Sequence, residues 1–154
     1  MTVLQKRFAG SLAGVLIMLA AAATPGAQAG ADLLDVNAAG DKDLLALPAS
    51  SPALVKAIVG RRPFKSIVDL NVFLLAQKLT QAQADEIYKT AFVRVNLNTG
   101  TREEILLIPG AGARMAREFA EYRPWKTKAQ FEKEIGKYVG GAEVARLWRY
   151  VVIQ

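Results

Sequence analysis

The chain has 154 residues and contains neither cysteine nor histidine, which excludes disulfides, thiol chemistry, zinc sites built from Cys and His, and His-based catalysis. Its formal net charge is +6 at pH 7, from 20 basic and 14 acidic side chains. That excess has to be located along the chain before it favours any partner.

The first 29 residues have the pattern of a secretory signal peptide. Lys6 and Arg7 precede an uncharged apolar stretch at 8–23, and the tripeptide Ala-Gln-Ala at 27–29 is the small-x-small pattern that signal peptidase accepts. The stretch of 16 residues is shorter than the ~20 that span a bilayer, which favours cleavage after Ala29 over an uncleaved membrane anchor. No cysteine follows it, which excludes a lipoprotein. We therefore expect a periplasmic or secreted protein of 125 residues, enough for one compact domain or two very small ones.

The mature part contains an internal sequence repeat of two copies, with a period near 61 residues. The segment LPASSPALVKAIVGRRPFKS (47–66) aligns with IPGAGARMAREFAEYRPWKT (108–127), so that Arg62 matches Arg123. The preceding segments DVNAAGDKDLLALP and RVNLNTGTREEILLIP also match when two residues are added in the second. We name residues 30–92 copy one and residues 93–154 copy two.

Each copy is predicted to form four short helices, because apolar residues recur at three- and four-residue spacing with breakers between them. No stretch shows sustained alternation, so the predicted fold class is all-α. The helices of copy one are expected near 41–47, 52–61, 66–75 and 80–91. In copy two a capping box of Thr101 and Glu104 opens the first helix, which stops at Pro109. The next three are expected to run through Tyr122, from about 128 to 135 and from about 142 to 152.

The two copies differ in charge. Residues 32–92 carry seven basic and seven acidic side chains, whereas residues 93–154 carry eleven basic and seven acidic ones. The net charge of +4 of the mature part therefore lies in copy two, and a polyanion should prefer that half.

The segment IPGAGARMAREF (108–119) places a proline and two glycines before a helix with two arginines. A tight connection between antiparallel helices needs backbone with positive φ, which glycine adopts at little cost, and we expect this of Gly110 and Gly112. Without side chains there, the N–H groups of residues 110–114 can face outward at the positive end of the next helix. Arg114 and Arg117 follow one turn apart. The pattern predicts a phosphate site, with an ordinary helix-connecting turn beside a solvated basic face as the alternative.

The stretch IPGAGARMA resembles the hydrophobic-Pro-Gly-x-Gly-x-x-x-Ala signature of the helix-hairpin-helix family, whose motifs bind the DNA sugar-phosphate backbone without reading sequence. Residues 94–136, after a signal peptide, are similar to the ComEA family of competence DNA-uptake receptors. The resemblance covers nearly all of 94–153 and, more weakly, 35–92. It implies two tandem (helix-hairpin-helix)2 units of SAM-like architecture, the first of them degenerate.

The resemblance further implies a non-catalytic protein that binds DNA without sequence specificity, with inner-membrane DNA-uptake proteins as candidate partners and no cofactor, metal or small-molecule substrate. The expected DNA-binding residues are Gly110, Ala111, Gly112, Arg114, Arg117, Arg123 and Lys126. The backbone amides of residues 110–112 would bind one phosphate, and Arg114 and Arg117 would neutralise the neighbouring phosphates.

Some positions depart from the family pattern. Copy one has Ala49 and Ser51 where the glycines belong, and no basic residue before Lys56, so we expect that hairpin to have lost phosphate binding. In copy two Met115 stands where the family often has lysine, so the charge is shifted to Arg114. The later hairpins, AQKLTQ and YVGGAE, lack the Pro-Gly-x-Gly form and are expected to pack.

Two further expectations concern the rest of the chain. Trp125 and Trp148 match Phe64 and Ile87, which favours core positions over base-stacking platforms. The electroneutral copy one favours a second hypothesis, a structural protein similar in architecture to PsbU, an extrinsic subunit of the photosynthetic oxygen-evolving complex. DNA glycosylases and nucleases also carry such hairpins, but nothing here supplies their catalytic part. Whether the copies share one core is left open.

Overall fold

The computed structural model describes residues 33–154, so the predicted signal peptide lies outside the described residues. Both copies have the same order of elements: a short strand, four helices and a short strand. Copy one contains β1 (Leu34–Asp35), α1 (Asp41–Leu45), α2 (Pro52–Arg61), α3 (Ile67–Ala76), α4 (Gln81–Tyr88) and β2 (Ala91–Phe92). Copy two contains β3 (Val95–Asn96), α5 (Arg102–Leu106), α6 (Ala113–Glu121), α7 (Lys128–Ile135), α8 (Gly141–Trp148) and β4 (Val151–Val152). None of the helices in this part of the chain combines the length and the apolar composition that crossing a bilayer would require.

The mostly helical architecture confirms the coarse all-α prediction. The four short strands were not predicted. In each copy the first and last segments pair in parallel, with Leu34 opposite Ala91 and Val95 opposite Val151. For this reason the last helix of each copy ends before its predicted bound, and the residues after it extend into the strand. A strand of two residues is too short to show the alternation by which strands are recognised.

Most helices begin at a Ser or Thr whose side chain accepts a hydrogen bond from the third helical N–H group. The predicted capping box is confirmed: Thr101 accepts from the N–H of Glu104, whose side chain accepts from the N–H of Thr101. In addition, the side chain of Asn98 accepts from the N–H of Trp125 and donates to its carbonyl. Asn37 makes the same two bonds to Phe64 in copy one. The two asparagines therefore tie each copy's first loop to its buried aromatic residue.

The buried apolar side chains of both copies form one cluster among the described residues. The ring of Phe92 meets that of Tyr150 at 5.0 Å between centroids. Arg94 donates to the carbonyls of Leu33 and Arg149, which also joins the copies. Trp125 is 1% exposed, which confirms it as a core residue. The two copies thus share a single core among the described residues.

Candidate nucleic-acid interface

The hairpin of copy two joins α5 to α6 through Leu107–Gly112. Gly110 has φ +78°, the left-handed conformation that was predicted. Gly112 has φ −91° and ψ −178°, so the prediction of positive φ is wrong there. Gly112 is the residue that precedes the first turn of α6, and a residue in this position takes an extended backbone. The space around Gly112 would accommodate a side chain, because a Cβ built there meets no atom within 4 Å.

The backbone amides at the start of α6 have no acceptor within residues 33–154. The N–H groups of Gly112, Ala113, Arg114 and Met115 make no hydrogen bond there, and Gly112 has no side chain that could cap them. Ala111 differs, because its N–H donates to the carbonyl of Ile108 at 2.9 Å. The structure therefore corrects the predicted donor set, since the Ala111 amide is already used and the unpartnered donors continue into α6.

The matching hairpin of copy one has the same backbone shape, but two of the four N–H positions that match 112–115 are closed there. Ala49 takes the left-handed conformation of Gly110, with φ +53°. Ser51 caps α2 by accepting from the N–H of Leu54 at 3.1 Å, and Pro52, the first helical residue, has no N–H to offer. This closed helix start gives a physical reason for the expected loss of phosphate binding in copy one.

The two arginines on α6 are held by different partners. The guanidinium of Arg114 lies over the ring of Tyr138, 4.8 Å from its centroid. Arg117 donates to Glu118 at 3.1 Å, and Glu118 is only 3% exposed. Burial raises the pKa of Glu118, but hydrogen bonds from Tyr138 and Arg117, together with the charges of Arg117 and Arg114, outweigh burial and bring that pKa below its usual 4.5. The charge of Arg117 is therefore partly neutralised, and Arg114 is the more available cation.

The two remaining predicted residues are not brought to the hairpin. Arg123 is half-buried and donates from Nε to the carbonyl of Leu97 at 2.7 Å and from Nη2 to that of Gly100. Arg62 similarly donates to the carbonyl of Ala39 in copy one. Arg123 thus holds the loop at 97–100, and its role in binding DNA stays a prediction. Lys126 is exposed, and in the described part of the chain no hydrogen bond or ion pair joins it to the hairpin.

One arginine that sequence reasoning missed lies at the turn. The guanidinium of Arg146, on α8, packs against Gly110: a Cβ built on Gly110 would lie 3.0 Å from Nη2 and 3.7 Å from Cζ. Glu143 accepts from Nε at 2.7 Å and from Nη2 at 2.6 Å, which lowers the pKa of Glu143 and raises that of Arg146. The sequence contains one indication of this residue, a reversal of charge between the copies: the position in copy one that matches Arg146 is Asp85.

The surroundings of the hairpin also include acidic groups. Asp85 and Glu86 of α4 line a cavity together with residues 106–111 and Lys89, which pairs with Glu86 and leaves a net negative charge there. An anion is therefore favoured at the start of α6, beside Arg114, and opposed on the face towards α4.

The chain matches no protein-family model, no curated protein and no solved structure. Its function therefore has to be inferred from the chemistry of this hairpin and from the contrast between the two copies.

Proposed function

We propose that the protein is a non-catalytic binding protein that holds the phosphate backbone of DNA through copy two, without reading base sequence. The observation that carries the proposal is the uncapped start of α6, where the N–H groups of Gly112, Ala113 and Arg114 lack an acceptor. Amides in this position suit a phosphate oxygen, and contacts to phosphate carry no base information. The resemblance of residues 108–116 to helix-hairpin-helix motifs agrees with this function, and we propose the tandem (helix-hairpin-helix)2 description as the finer fold.

The strength of binding follows from the number of phosphates engaged. The hairpin amides and the neighbouring guanidinium groups can engage roughly three or four phosphates, each adding about −0.9 to the slope of log affinity against log salt. The acidic residues beside the hairpin reduce the attraction further. We therefore expect micromolar or weaker affinity with a strong dependence on salt.

Titration of a labelled duplex with the purified protein tests the proposal. Between 50 and 200 mM salt the affinity should fall roughly 40- to 150-fold, and by the same factor for two duplexes of unrelated sequence. If the protein leaves DNA unbound at the lower salt, the proposed function is wrong. A marked preference for one duplex would contradict recognition through the backbone alone.

We also propose that this binding takes place outside the cytoplasm and serves DNA uptake, with inner-membrane uptake proteins as partners. This part depends on residues 1–29 and on the similarity of copy two to the ComEA family. Sequencing the N-terminus of the exported protein should give Gly30 as the first residue. A mature chain that still begins at Met1 would contradict the proposed cleavage.

A structural role is the second candidate, and copy one favours it. Leu45, Val59 and Val72 are 47%, 40% and 63% exposed, and the first two line one cavity on the surface of this electroneutral unit. These side chains suit contact with another protein, as in a scaffold of PsbU-like architecture. The same titration separates the two functions, because a scaffold without DNA affinity would leave the duplex free at both salt concentrations.

A further inference from the structure

We propose that Arg146 is a third cation of the hairpin's phosphate site, supplied by the second half of copy two. This inference rests on the proposed function and adds a binding residue to it. Its basis is the position of a side chain and is independent of the amides of α6.

The guanidinium of Arg146 lies against the backbone of Gly110, so close that a side chain there would displace the guanidinium by a few tenths of an ångström. A Cβ on Gly110 would lie 3.0 Å from Nη2, closer than most real contacts of a Cβ. Glycine at this position therefore serves two purposes, since it permits the left-handed backbone and admits the guanidinium. A phosphate that reaches the turn meets this cation.

Arg146 retains donors for such a phosphate. A guanidinium carries five N–H groups, and Glu143 takes one from Nε and one from Nη2. The Tyr150 side chain is a further hydrogen-bond partner, the N–H groups beyond these remain, and the side chain is 30% exposed. Glu143 and the ring of Tyr150, 5.7 Å from Cζ, fix the plane of the guanidinium beside the turn. A phosphate can thus be bound without breaking the pair with Glu143.

Copy one shows the complementary change. The position of Gly110 is occupied by Ala49, and that of Arg146 by Asp85. Copy one therefore lacks both the glycine at the turn and the cation that packs on it. Glycine and arginine are found together in the copy whose amides are unpartnered.

The test compares salt series of DNA affinity for variants of the full protein. Arg146→Gln alone would leave Glu143 unpaired and add a net negative charge near the site, so the decisive variant is the double change Arg146→Gln with Glu143→Gln, which keeps the net charge of the wild type. We expect its salt slope to be shallower by about 0.9, the loss of one phosphate contact. Lys133→Gln serves as the matched control, because Lys133 is 77% exposed on α7, and its slope should stay that of the wild type. Thermal melting checks that each variant is folded.

The outcomes separate the inference from the proposed function. A shallower slope for the double variant with an unchanged slope for Lys133→Gln supports the role of Arg146. If the wild type binds DNA and Arg114→Gln weakens binding, but the double variant keeps the wild-type slope and affinity, Arg146 is not a phosphate ligand and the proposed function survives. If the wild type itself does not bind DNA, both fail.

Discussion

The open helix start of copy two can be converted into the closed start of copy one by two substitutions, Gly112→Ser and Ala113→Pro. The new serine would cap α6 by accepting the N–H of Met115, as Ser51 does for Leu54 in copy one. The new proline would remove the N–H of residue 113. Both changes fit the backbone: Gly112 is extended and has open space for a Cβ, and the N–H of Ala113 has no partner to lose within the described chain.

The two changes should have opposite effects on stability and on binding. A serine cap in place of glycine contributes a few tenths of a kcal/mol, and a proline that fits its site contributes about 0.4–1 kcal/mol. Together they should raise the melting temperature by roughly 2 to 6 °C for a domain of this size. Losing charge-assisted hydrogen bonds from two amides should weaken DNA binding by roughly 150-fold or more, at roughly 1.5–3 kcal/mol for each bond.

Thermal melting and duplex titration on the same preparation measure both quantities. A misfolded variant would lose stability and binding together, so higher stability with weaker binding shows that the loss of binding comes from the changed start of α6 and not from misfolding. The reciprocal variant of copy one, Ser51→Gly with Pro52→Ala, is the control and should lower the melting temperature by a similar amount. If the copy-two variant melts higher and binds DNA as the wild type does, the start of α6 is not the phosphate site.

Three further substitutions test the shared core, the bonds of Arg123 to the loop at 97–100 and the buried carboxylate of Glu118. Trp125→Ala should cost about 3–5 kcal/mol of the free energy of unfolding in urea; a cost under half of that would mean that the shared core is looser than its burial indicates. Arg123→Met should lower that free energy by roughly 1.5–3 kcal/mol, because it removes charged hydrogen bonds to two carbonyls, and should leave the salt slope of DNA binding unchanged; a shallower slope would restore Arg123 to the interface. The folded-state pKa of Glu118 is lowered, so its contribution to stability is present above about pH 4.5 and is lost as the pH falls through the folded pKa. Acid titration of stability should therefore show a smaller loss below pH 4.5 for Glu118→Gln than for the wild type, and equal losses would show that Glu118 has no such coupling.

The helices were predictable because the chain presents the same unit twice. Each helix start has a capping residue or a breaker, and in copy two the box of Thr101 and Glu104 places the start of α5 within one residue. The strands could not be predicted in this way. Their pairs join the two ends of each copy, as Val95 and Val151 do, and a parallel pair of two residues leaves no local pattern in the sequence.

The geometry of the candidate site was only partly predictable from the sequence. A Pro-Gly-x-Gly pattern shows that the chain turns, but it does not show which glycine is left-handed, and Gly112 is extended because it precedes a helix. Arg123 is close to the hairpin along the chain, but its bonds go to the loop at 97–100, which no local pattern shows. The contact of Arg146 with Gly110 could not be predicted either, because Arg146 is distant in sequence and reaches the turn only through the packing of α8.

The repeat itself contains a criterion that separates structural from functional residues. A residue that both copies keep serves what they share, and this holds for the arginine pair Arg62 and Arg123, which bonds the same loop in both copies. The copies differ at most aligned positions, and five of the differences lie at the hairpin before α6. In copy two each of them opens a donor, makes room or adds positive charge, as the proposed phosphate site requires. In order from copy one to copy two, they are Ala49 to Gly110, Ser51 to Gly112, Pro52 to Ala113, Ala53 to Arg114 and Asp85 to Arg146.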